Sequence, residues 1–154
     1  MAGFRSLDLA IELAGVKRDQ AMAQLQEMQR VYASAQDQMR QLQQYAQETD
    51  QRWMQGAQRS TTSELLHHQY QFMGRLTQAI GMQEGVLAST LRRVEVAKQG
   101  VVQSELRLAS LKQVLAQRQA ALGRQQARHE QKQMDEFAAQ QTARKQRIQL
   151  ENSQ

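Results

Sequence analysis

Three histidines, one tryptophan and a run of C-terminal cations are the residues here that could do chemistry. His67 and His68 are neighbours, and neighbours on a helix point about 100° apart, too far to close on one ion. His129 is remote in sequence from both. With no cysteine there is no thiolate ligand, no cysteine nucleophile and no disulfide. No glycine-rich phosphate loop, nucleophile–base pair or pocketed carboxylate pair stands out, so the chain reads as a non-enzyme without catalytic, cofactor or metal residues. Trp53 reads as an apolar plug rather than a ligand platform. The cations Arg118, Arg124, Arg128, Lys132, Arg144, Lys145 and Arg147 face only Glu130, Asp135 and Glu136 over the same stretch. They make an electrostatic handle for a negatively charged partner or, read differently, a solvated disordered tail. Nucleic acid is a third use, but no aromatic interleaving or reading motif supports it.

Whatever positions these residues is helical. The 154 residues include 31 glutamines, no proline and eight scattered glycines. A compact domain of this length needs frequent turns, and turns recruit proline and glycine. A chain without proline is most simply a pair of long helices. The net charge of +5 does not choose among nucleic acid, acidic lipid and acidic protein. No apolar run approaches the roughly 20 residues that span a bilayer. Arg5 and Asp8 interrupt the first apolar stretch, which makes a poor signal peptide and leaves the cytoplasm as the expected address.

Apolar residues recur at alternating spacings of three and four: Leu7, Ile11, Ala14, Arg18, Ala21, Leu25, Met28, Tyr32, Ala35, Met39, Leu42, Ala46, Thr49 and Trp53. A period of 3.5 marks a narrow seam that supercoils against a partner helix. The pattern weakens at 55–63, where glycine and hydroxyl residues gather and a serine or threonine can cap a new helix ahead of Glu64. A second seam follows, running Leu66, Gln69, Met73, Leu76, Ile80, Gln83, Leu87, Thr90, Val94, Ala97, Val101, Ser104, Leu108, Leu111, Leu115, Arg118 and Leu122.

The expectation is therefore a single all-α domain over 1–154: a long antiparallel two-helix coiled-coil hairpin. Helix one spans about 5–55, the turn about 56–62 and helix two about 63–145, with a frayed tail. Pairing about that turn sets residue i opposite a residue near 118 − i, so helix two outruns helix one. Phe72 falls one position off the second seam. With Leu76, Ala79 and Gln83, and with Gln38, Leu42 and Tyr45 across the hairpin, it makes a partly exposed patch that is either a partner site or ordinary coil packing.

The segment Gln131-Lys132-Gln133-Met134-Asp135-Glu136-Phe137-Ala138, followed by Ala143-Arg144-Lys145, resembles the C-terminal signature of the flagellar export protein FliJ family. The strip around Tyr70-Gln71-Phe72, Leu76, Ala79 and Ile80 is similar to that family's mid-chain helix, and Gln38, Leu42 and Tyr45 match its first arm. The resemblance spans nearly the whole chain. It implies a hairpin similar to the central stalk of rotary ATPases, serving flagellar type III export in the cytoplasm, peripheral at the inner face of the membrane. The partners it implies are the hexameric export ATPase, the cytoplasmic domain of the export gate and the export chaperones, with coupling to proton-motive force. No cofactor and no nucleic acid are expected.

Carried over by position, Gln38, Leu42, Tyr45, Phe72, Leu76, Ala79 and Gln83 become gate-contact candidates. Gln83 stands where the family leads one to expect histidine. Phe4, Leu7, Arg124, Arg128, Lys132, Met134 and Phe137 become the ATPase-ring candidates, the overhanging basic end being what a ring could receive. The competing class is a self-associating coiled-coil scaffold whose basic tail binds nucleic acid or an acidic membrane.

Overall fold

A computed structural model describes residues 2–57 and 61–153. They form two helices, α1 (Ala2–Ala57) and α2 (Ser63–Asn152). No described residue lies in a strand or has positive φ. The fold is the expected all-α antiparallel hairpin. Both helices are longer than the expected spans, and α2 carries past 145 to Asn152. The expected turn at 56–62 lies partly outside the described residues. At its far end Thr62 caps α2: its hydroxyl oxygen accepts the Leu65 N–H at 3.2 Å, and its carbonyl accepts the Leu66 N–H at 3.1 Å. The cap satisfies one of the orphan donors of the first turn, and Glu64 there complements the positive helix end.

The chain divides into two compact units. The first is Leu13–Arg107, in which α1 and α2 bury Ala14, Ala35, Met39, Leu76, Val94 and Ala97. Small residues dominate that list, as expected where two helices approach closely with no third layer above them. Polar seam residues are accommodated in different ways. Thr90 is buried, and its hydroxyl donates to the Val86 carbonyl at 2.9 Å, within its own helix. Arg18 lies half-buried and turns its guanidinium outward to Asp19 at 3.0 Å, keeping its charge in water. The Gln69 side-chain nitrogen is buried without a hydrogen-bond partner.

The second unit joins the chain ends, Met1–Glu12 and Leu108–Gln154, and buries Leu7 and Leu108. Ile11, Leu111, Leu115 and Leu122 are half-buried around them. Every described residue from Gly123 to Ser153 is exposed, although α2 continues to Asn152. Two seam expectations fail. Leu66, in the first turn of α2, is 52 % exposed although the register sets it opposite α1. Arg118 is exposed because a guanidinium at a seam's thin end reaches water more cheaply than it can be desolvated.

Candidate functional site

The mid-chain patch is built inside the Leu13–Arg107 unit. Phe72 and Ala79 each sit one residue before a seam residue, so they border the coil and are half-buried. The Phe72 and Tyr45 rings meet edge to face, centroids 5.9 Å apart and planes at 79°, which ties the two helices together at the rim. Gln83 is a seam residue. Its amide nitrogen donates to the Ala35 backbone carbonyl at 2.9 Å and to the Gln38 amide oxygen at 3.3 Å. The pairing of Gln83 with Ala35 is the register expected from residue i facing 118 − i.

An open groove follows, lined by Gln38, Gln41, Leu42, Tyr45 and Gln83. Six of the seven candidates present surface to it or beside it. Leu76 does not: it is 8 % exposed and belongs to the floor. Gln41 is the addition. It lies three residues after Gln38 and four before Tyr45, a helical spacing that already pointed to it.

The chain-end unit holds the other candidates. Leu7 is buried. Phe4 is half-buried and lines a shallow groove with Asp8, Gln119, Leu122, Gly123 and Gln126. Arg124, Arg128 and Lys132 are exposed, as are Met134 at 69 % and Phe137 at 62 %. Among the described residues none of the cations from Arg118 to Arg147 has an ion-pair partner. The glutamines here bond along the helix, Gln131 to the Asp135 carboxylate at 3.1 Å and Gln133 to the His129 ring at 3.2 Å. Such i, i+4 pairs contribute a few tenths of a kcal/mol each to an otherwise unsupported helix, roughly 0.2–0.5.

Among the described residues no three His, Asp or Glu side chains gather as a metal site, and His67 and His68 are both exposed. No helix of the described residues is long and apolar enough to cross a membrane. What the arrangement offers is contact: a rim patch of rings and amides on paired helices, and an unpaired basic helix with apolar side chains in water.

A search of curated proteins finds no match. The family model of the flagellar FliJ protein matches residues 4–147, which takes in both candidate surfaces and all but the last turn or two of α2. On that match the chain belongs to the flagellar FliJ protein family, a non-catalytic component of the flagellar export apparatus.

Proposed function

We propose that this chain is a stalk for the hexameric flagellar export ATPase, binding the ring through its chain-end unit and promoting ring assembly and activity. The observation that carries this reading is the stretch from Gly123 to Asn152: helical, basic and exposed throughout, with Met134 and Phe137 held in water. A helix that exposes large apolar side chains beside unpaired cations is half of an interface. Arg124, Arg128, Lys132, Met134 and Phe137 make the direct contacts, with Phe4 at their base. Leu7, being buried, supports them from beneath. The mid-chain patch contacts the cytoplasmic domain of the export gate through Gln38, Leu42, Tyr45, Phe72, Ala79 and Gln83, with Leu76 as their floor. Export chaperones are further partners, and the two contacts together couple export to proton-motive force.

The test is a chain ending at Leu122, assayed for stimulation of the purified export ATPase. Stimulation is lost while the remaining hairpin stays helical. Normal stimulation by the shortened chain sinks the assignment of the ring contact.

A further inference from the structure

A second surface in the Leu13–Arg107 unit belongs to neither proposed contact. On α2 the positions one residue before the seam are Met82, Val86, Ser89, Arg93 and Val96, again spaced by three and four. This row continues the spacing of Phe72 and Ala79, so it runs along the same side of the helix. Val96 is 66 % exposed and Met82 70 %. From α1 the matching position Gln24 joins Ser89, Arg92, Arg93 and Val96 around a groove floored by Met28 and Ala97. In an antiparallel pair the flanking positions of one helix meet their own kind on the other, which is why both rows line one groove.

Charge separates the two sides of the coil. Among the described residues Arg75, Arg92 and Arg93 have no ion-pair partner. The carboxylates on this side are already engaged within α1: Glu27 by Arg30 at 2.6 and 3.1 Å, and Glu48 by Gln44 at 3.1 Å and Arg52 at 3.9 Å. The opposite side, one residue after each seam residue, carries Asp19, Asp50, Glu84, Glu95 and Glu105 beside Arg40 and Lys98, and Lys98 pairs with Glu95 at 3.7 Å. Free cations therefore gather on the first side, whereas carboxylates outnumber cations on the second.

We propose that the apolar, basic side is a groove for a third helix: an acidic amphipathic helix presented by a partner protein. Its apolar face packs on Met28, Val86 and Val96, and its flanking carboxylates pair with Arg92 and Arg93, completing a three-helix coil from a two-helix one. A second copy of this chain is the poorer occupant. It could offer its acidic side only head to tail, a contact that leaves both faces open and propagates instead of closing. The inference does not depend on the gate or ring contacts, since Arg92, Arg93 and Val96 belong to neither.

The test uses the full chain and a fluorescent synthetic four-heptad helix with leucine at its core positions and glutamate at the flanking ones. A twin peptide carries lysine in place of glutamate. By anisotropy the acidic peptide binds, and the lysine twin binds at least about tenfold more weakly. The paired change Arg92→Glu with Arg93→Glu inverts that preference, and Val96→Glu weakens the acidic peptide at least about tenfold. All three side chains are exposed, so thermal melts stay unchanged. Failure of the acidic peptide to bind, or equal binding by the charge-reversed chain, overturns the proposal. A concentration-dependent dimer abolished by Val96→Glu assigns the face to a second copy and overturns it as well.

Discussion

Phe72 and Leu76 sit one turn apart on α2, and their side chains do different work. Leu76 is buried between the helices. Removing it leaves a cavity that a two-layer core cannot easily refill. Phe72 lies at the rim against Tyr45. Leu76→Ala is therefore expected to cost about 2–4 kcal/mol in denaturant unfolding. Phe72→Ala is expected to cost about 1 kcal/mol, its edge-to-face contact and partial burial. Titration with the purified gate domain then separates the two roles. Phe72→Ala weakens binding with the hairpin intact, whereas Leu76→Ala weakens it in proportion to its loss of folded protein. Gate binding unaffected by Phe72→Ala removes that residue from the contact. Heptad spacing set Leu76 on the seam and Phe72 one position off it, but it gives the direction of a side chain and not how much the facing residue covers it. Gln83 shows the same gap: its seam position was legible, while its bonds to Ala35 and Gln38 depend on the exact cross-helix register.

At the scale of the elements, a chain without proline was informative about continuity and poor at marking ends. Two helices and one reversal follow directly from the seams and from the Gly/Ser/Thr cluster that interrupts them. The far end of α2 was harder to read. Loss of the seam after Leu122 removes tertiary support, and fraying is the natural expectation. Yet a helix already nucleated upstream needs only favourable propagation, and glutamine, arginine and alanine are good formers. Among the described residues the Thr62 hydroxyl on the Leu65 N–H marks the start of α2, beside the first-turn Glu64. Thr62→Ala is expected to lower stability by about 1 kcal/mol, and Thr62→Ser by much less. Equal melting of the two variants would show that the backbone, and not the hydroxyl, starts the helix.

For the whole molecule, the division between supported and unsupported helix should be visible in amide exchange. Amides of the α2 segment from Leu76 to Leu108 are covered by seam packing and open only with large-scale unfolding. Amides from Gly123 to Asn152 belong to a helix whose described side chains are all exposed, so they open locally and exchange orders of magnitude faster. A partner that clasps this stretch supplies the missing packing. Adding the purified export ATPase is therefore expected to slow exchange across 123–152 while leaving 76–108 unchanged. RNA offers a contrasting outcome. Phosphate contacts by the six cations of this stretch would slow the same amides too, but that protection would fall steeply between low and moderate salt. Contacts that bury Met134 and Phe137 lose little over the same range, because apolar burial is not screened. Protection by the ATPase that survives added salt supports the stalk reading. Protection seen only with RNA, and only at low salt, returns the basic end to the role of a nucleic-acid-binding tail on a coiled-coil scaffold.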